Sequence, residues 1–253
     1  MLGCGVSTGV PTIGPDWGAC DAADPRNQRR RASVLIESGG RTLLIDMSPD
    51  LRAQLIDAGV ARIDAVLLTH AHADHLHGID DIRAVNRLMN SAIPLYADVT
   101  TLAAVEARFG YALAAPDAHG PFYKPALIPH GVAGPFTAAG VPVIPFAQDH
   151  GNLTTLGFRI GAFAYSTDVT ELDDHAFEIL AGVEFWIVDC LRRKPHPTHS
   201  HVAKTLKWIA RVRPRRAALT HMDQSLDYAA LAAELPPGVE PGSDGLSVEL
   251  PDP

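Results

Sequence analysis

The densest chemistry in this 253-residue chain lies in AVLLTHAHADHLHG, residues 65–78, where His70, His72, Asp74 and His75 fall within six positions. With 12 His in the chain, a chance HxHxDH is expected in about two chains per thousand, so the run reads as a ligand motif. Only 3 Cys accompany those 12 His, which favours an imidazole and carboxylate metal site over a thiolate one. A strand leads up to Thr69, and residues at i and i+2 beyond a strand end project to the same side. His70 and His72 can therefore face one ion, while Asp74 and His75, entering the next turn, point to a neighbouring position. Two adjacent ions would need further donors. Three candidates follow apolar strands: His150 after VPVIPF, Asp168 after AFAYS and His221 after AALT. Strand ends are where a rigid sheet holds functional loops, although each of the three alone also reads as a solvated loop residue.

The elements that must position these groups are legible as short β-branched and aliphatic runs. SVLIE (33–37), TLLID (42–46), AVLLT (65–69), IPLY (93–96), VPVIPF (141–146), TLGFRI (155–160), AFAYS (162–166), FWIVD (185–189), AALT (217–220) and LSVEL (246–250) predict strands. Helix-like stretches lie between them at 49–59, 80–90, 98–110, 169–182, 200–212 and 225–235. Asp50, Asp98, Thr170 and Ser225 are the expected N-caps, and Gly59 and Gly110 the expected stops. The first two strands form a hairpin around Ser38-Gly39-Gly40. Pro and Gly accumulate at 116–145, which suggests an irregular crossing between two halves. The mixture predicts an α/β fold with sheet inside and helices outside, as a single domain over 1–253.

Composition narrows the function classes. The 21 Lys and Arg against 29 Asp and Glu leave a formal charge of −8, which argues against a general nucleic-acid coat protein. Cys4, Cys20 and Cys190 are odd in number, far apart and without a CxxC, so no disulfide framework is encoded and a reducing compartment is expected. The N-terminus lacks a basic segment followed by an apolar one, and no stretch approaches the ~18 apolar residues of a membrane span. A cytoplasmic protein with no membrane partner is the expectation.

The HAHADH at 70–75, the isolated His150, the STD at 166–168 and the THM at 220–222 together resemble the metallo-β-lactamase superfamily. The resemblance covers nearly the whole chain. It implies a four-layer αβ/βα sandwich, two mixed sheets with helices outside, and a two-metal site. His70, His72 and His150 would hold one ion and Asp74, His75 and His221 the other, with Asp168 bridging both. GCGVSTGVP (3–11), WGACDAADPRNQRRR (17–31) and HPTH (196–199) are most similar to the PhnP-type cyclic phosphodiesterases, which act on phosphoribosyl 1,2-cyclic phosphate. That branch is related to the tRNA 3′-processing endonucleases. In it a His matching His199 is an additional catalytic residue, counted here with the bridging Asp168. The PhnP type also carries an N-terminal Cys cluster for a structural zinc. Only Cys20 stands in the equivalent stretch, so that site is expected to be absent. The family's first strand starts several residues ahead of its GCG, whereas this chain begins at Met1-Leu2.

Two divalent ions, zinc or manganese with iron also acceptable to these donors, suit hydrolysis of a small phosphodiester. His199 would stabilise developing charge or protonate the departing alkoxide. Asp46 ends TLLID, where the superfamily places an acid that orients a metal-binding His; the competing reading is a helix cap. Arg29, Arg30 and Arg31, in a dense basic run with Arg26, read either as a solvated turn or as a landing for the substrate phosphate. The run is too short for long RNA, and a homodimer is compatible with the family. His77 is a candidate for the pocket rim, whereas His196 and His201 are read as non-ligands. Rival readings are a tRNA 3′-processing endonuclease, with 111–135 as a modest candidate arm, a glyoxalase II-like thioesterase and a non-catalytic sensor.

Overall fold

The computed structural model describes residues 1–113 and 127–250. The first sheet runs β1 (Val34–Ser38), β2 (Arg41–Ile45), β3 (Ala65–Leu67), β4 (Ile93–Ala97), β5 (Leu127–Gly131) in spatial order. The β1–β2 hairpin is antiparallel and the later pairs are parallel. The second sheet contains β6 (Phe136–Ala138), β7 (Val141–Asp149), β8 (Thr154–Ile160), β9 (Phe163–Ser166), β10 (Phe185–Asp189), β11 (Arg216–Thr220) and β12 (Val239–Pro241). It is antiparallel from β6 to β9 and parallel from β9 to β12. Helices α1 (Leu51–Asp57), α2 (Ala73–Leu76), α3 (Ile82–Met89), α4 (Val99–Phe109), α5 (Asp174–Leu180), α6 (Val202–Val212) and α7 (Tyr228–Glu234) complete it.

Alternation along the strands explains the layering, since successive side chains point to opposite faces. Leu43, Ile45, Ala65 and Leu67 of the first sheet meet Phe158, Tyr165, Phe185, Ile187 and Ala218 of the second in one apolar layer. Their neighbours Leu44 and Val66 face outward to Leu51, Ile82 and Val85. Ala164, Trp186, Val188 and Leu219 face outward to Phe177, Trp208, Ile209 and Leu231. Strands buried on both faces are uniformly apolar, which is why they were readable. The result is the expected αβ/βα sandwich of two mixed sheets.

Several local expectations are corrected. LSVEL is not a strand; Leu246, Val248 and Leu250 pack against the layer between the sheets while β12 takes the sheet edge. Helices α5 and α7 are capped by Asp173 and Asp227, whose carboxylates accept the N–H of Ala176 and Ala230. Thr170 and Ser225 lie too early to do so. Asp50 makes no cap bond and instead binds Arg31. Asp98 caps α4 as expected. Of the Pro/Gly-rich crossing, 127–131 and 136–138 form β5 and β6, the last strand of one sheet and the first of the other. Positions 114–126, which take in much of the candidate arm at 111–135, lie outside the described residues. No helix among the described residues is long and apolar enough to cross a membrane.

Candidate metal centre

Strand direction gathers the site. In the first sheet β2 and β3 run parallel; Asp46 directly follows β2, and His70 lies three residues beyond β3. In the second, β7 and β9 both run antiparallel to β8 and so parallel to each other, and β10 and β11 follow the same direction. The carboxyl ends of these four strands carry His150, Asp168, Asp189 and His221. His72 is the N-cap of the short helix α2, whose first turns carry Asp74 and His75.

The seven residues come together as two donor sets, His70, His72, His150 with Asp168, and Asp74, His75, His221 with Asp168, each with its donor atoms within 4.8 Å of one another. Asp168 belongs to both, one oxygen turned to each set. Its Oδ2 is 3.8 Å from His70 Nε2 and 3.5 Å from His150 Nε2. Its Oδ1 is 3.1 Å from His75 Nε2 and 3.4 Å from His221 Nε2. Asp74 Oδ2 lies 3.2 Å from His75 Nε2 and 3.3 Å from His221 Nε2. A carboxylate with its oxygens divided between two imidazole groups is the arrangement a bridging ligand requires.

On three of the rings the other nitrogen is fixed from behind, leaving Nε2 for the centre. Asp46 accepts from His75 Nδ1 at 2.7 Å. Thr69 donates its hydroxyl to Asp46 at 2.9 Å and so accepts from His70 Nδ1 at 3.0 Å. The Thr198 carbonyl accepts from His150 Nδ1 at 2.6 Å. His70 Nε2 is buried without a hydrogen-bond partner, which a cation would supply. Imidazole nitrogens and carboxylates without thiolate fit two divalent ions such as zinc, manganese or iron. Backbone strain concentrates here as well. Asp46, Asp168 and His221 have φ of +64°, +52° and +58°, a conformation costing on the order of 1–3 kcal/mol each that functional sites retain.

Electrostatics match this role. Burial pulls the His70 imidazole well below its ordinary range, with His75 adding to the effect, and burial likewise lowers His150. Both are thereby neutral, as ligands must be. Burial acts against charge on Asp168 too, yet His221 and His75 outweigh it and hold the carboxyl well below its usual range. At His221 burial is overcome by Asp168 and Asp74, and its pKa rises to about 9. His75 is raised in the same way by Asp168, Asp74 and Asp46. In the metal-free protein, protons on these two rings occupy the place of a cation.

His199 sits at the rim, its Nε2 3.8 Å from Asp168 Oδ2 and its ring 4.7 Å from those of His150 and His221. Its Nδ1 faces Asp189 Oδ2 at 3.4 Å. Asp189 was missed in the sequence. It is fully buried, accepts the Ser200 N–H at 2.9 Å, and pairs in register with Thr220 beside His221. The available signal was the same acid at a strand end that singled out Asp46. His77 is exposed beside Phe109, and His201 stands at the N-cap of α6 outside both sets.

The phosphate landing expected of Arg29, Arg30 and Arg31 is corrected at Arg29. Arg29 is 1% exposed, its guanidinium bound to the carbonyls of Asp223 and Leu226 and to Asn27. It braces the loop that follows His221. Arg30 pairs with Asp57, and Arg31 with Asp50 and the Ser7 carbonyl. The adjoining GCG is structural as well: a Cβ on Gly3 would lie 2.1 Å from the Arg31 carbonyl, and one on Gly5 2.8 Å from that of Arg29. This close approach lets residues 4–6 pair with Met222, next to His221.

Fold and site together point to the metallo-β-lactamase superfamily, and the chain belongs to it: the model of the beta-lactamase superfamily domain matches residues 41–222. Within the superfamily it falls in the PhnP-like branch. A crystal structure of a new diphosphatase from the PhnP family superposes with a TM-score of 0.90 at 34% identity, covering 98% of this chain and 96% of that one. An octanoyltransferase of Porphyromonas gingivalis is 34% identical over 97% of this chain and 50% of its own length, so the chain spans half of that relative. A ribonuclease Z of Mycobacterium bovis is 28% identical over 67% of each chain.

Proposed function

We propose that the chain is a dinuclear-metal phosphodiesterase acting on a small anionic diester, a cyclic phosphate such as phosphoribosyl 1,2-cyclic phosphate being the expected substrate. The observation that carries this reading is the divided carboxylate of Asp168 between two imidazole sets, with His199 beside it. Two bound divalent ions supply an activated water and a clamp on the phosphate for in-line displacement. His70, His72 and His150 would hold one, Asp74, His75 and His221 the other, and Asp168 both. Asp46, Thr69 and the Thr198 carbonyl keep three of these rings in the tautomer that presents Nε2. His199, with Asp189 beside its Nδ1, would pass a proton from Nε2 to the departing alkoxide, leaving a phosphomonoester. All these residues come from one chain, so the reading needs no homodimer, and it needs no polymer substrate.

Similarity to a PhnP-family diphosphatase favours a second reading, cleavage of a phosphoanhydride at the same centre. Protein with quantified metal, with zinc or manganese added back, separates the readings when tested side by side. The panel is bis(p-nitrophenyl) phosphate, the ribosyl cyclic phosphate, a diphosphate-linked dinucleotide, precursor tRNA and S-lactoylglutathione. Turnover of the thioester alone overturns both phosphate readings. His199→Ala should lower diester turnover by about 10²- to 10⁴-fold with two ions still bound. Loss of an ion instead would make His199 a ligand.

A further inference from the structure

We propose that His196, the first histidine of the HPTH run, is a positioning residue that sets the imidazole of His150 through the backbone of Thr198. His196 stands outside both donor sets, half-buried, its ring 5.2 Å from that of His199. Its Nδ1 lies 3.3 Å from the Thr198 backbone nitrogen and 3.2 Å from the Thr198 hydroxyl. A backbone N–H can only donate, so Nδ1 is the acceptor and the neutral ring carries its proton on Nε2. Thr198 then acts through its other side, its carbonyl accepting from His150 Nδ1 at 2.6 Å. A carbonyl can only accept, which forces the proton of His150 onto Nδ1 and presents the Nε2 lone pair 3.5 Å from Asp168 Oδ2.

A further contact ties the two loops. Gly151, next to His150, has φ +82°, and a Cβ there would lie 2.7 Å from Thr198 Cγ2. The Thr198 residue is thus packed against the His150 loop, oriented by His196 at its N–H, and orients His150 at its carbonyl. HPTH thereby serves two ends, His199 at the rim and the His150 ring behind the first ion. The inference rests on the two-ion reading only for the ion that His150 would meet.

His196→Ala removes the acceptor. His196→Asn keeps one, because an Asn side-chain oxygen accepts the N–H two residues on in an Asx-turn. Long-range ¹⁵N–¹H spectra of the metal-free protein should show His150 with its proton on Nδ1 in wild type and His196→Asn, and a tautomer mixture in His196→Ala. In chelator-competition titrations with zinc, His196→Ala should weaken one ion roughly five- to tenfold, about the worth of one hydrogen bond, and leave the other within twofold. His196→Asn should restore the affinity. An unchanged His150 tautomer in His196→Ala, failure of Asn to restore it, or a raised KM with unaltered zinc affinity would each overturn the proposal. Wild type that binds no zinc sinks the two-ion reading instead, and the tautomer spectra then decide this one alone.

Discussion

Replacing Asp46 by Asn changes one atom in the support of the centre. Asn tolerates the φ of +64° at this position, so the backbone can stay in place. The amide oxygen must keep the place that accepts the Thr69 N–H at 2.8 Å, because the opposite orientation would set two donors against each other. Its NH₂ then occupies the place of Oδ2, facing His75 Nδ1, which Asp46 holds at 2.7 Å. To keep a lone pair on Nε2, His75 must carry its proton on Nδ1 against that NH₂; to avoid the clash it must place the proton on Nε2 and stop being a ligand. The charge-assisted bond lost is worth about 1.5–3 kcal/mol. Taking 2 kcal/mol, at 1.4 kcal/mol per tenfold, predicts roughly 30-fold weaker binding of the ion facing His75, within the 10- to 100-fold typical of such partners. The ion facing His70 should change far less, since the Thr69 hydroxyl can still donate to the amide oxygen from 3.0 Å. Stepwise zinc titration against a chelator reads both affinities. Two ions held as tightly as in wild type would refute the reasoning, as would equal weakening of both.

Other consequences can be tested alongside. Asp168→Asn, tolerated at φ +52°, should weaken both ions by at least about tenfold; loss of only one would show that Asp168 does not bridge. In the metal-free protein His221 is raised to about 9 from an ordinary value near 6.5, and His75 is raised as well. That stabilisation is complete below about pH 6.5 and is lost as pH rises through about 9, so Tm of the chelated protein should fall across this window by the equivalent of about 3 kcal/mol. The metal-loaded protein should not show that fall, and equal slopes would contradict it. Arg29→Ala leaves the buried carbonyls of Asp223 and Leu226 without their donor and should cost about 2–4 kcal/mol in urea unfolding. Arg30→Ala, breaking a solvent-exposed pair, should cost less than about 1 kcal/mol.

Much of the architecture was legible because the central strands of both sheets are buried on both faces. The runs TLLID, AVLLT, AFAYS, FWIVD and AALT all became strands for that reason. The short edge strand Val239–Pro241 was not legible, since proline-rich sequence and three residues leave no period to read. LSVEL has a strand's alternation but joins no sheet among the described residues. Caps were misplaced at Thr170 and Ser225 because either an earlier Ser/Thr or a later Asp satisfies the same local rule, and packing chooses between them.

By itself the sequence determined which residues could donate to a metal: HAHADH, His150, Asp168 and His221 announce themselves through residue type and position after apolar strands. Donor chemistry is a property of single side chains, and strand ends are a property of local pattern. The tertiary structure alone decided what depends on opposing surfaces. It divides the two oxygens of Asp168 between the imidazole sets, runs Asp46 through Thr69 to His70, and sets Asp189 behind His199. It also buries Arg29 as a brace where the basic run read either as a solvated turn or as a phosphate landing. Residues as far as 197 positions apart meet in these contacts, and only the closing of two sheets face to face, with their carboxyl ends at one edge, specifies which atoms meet.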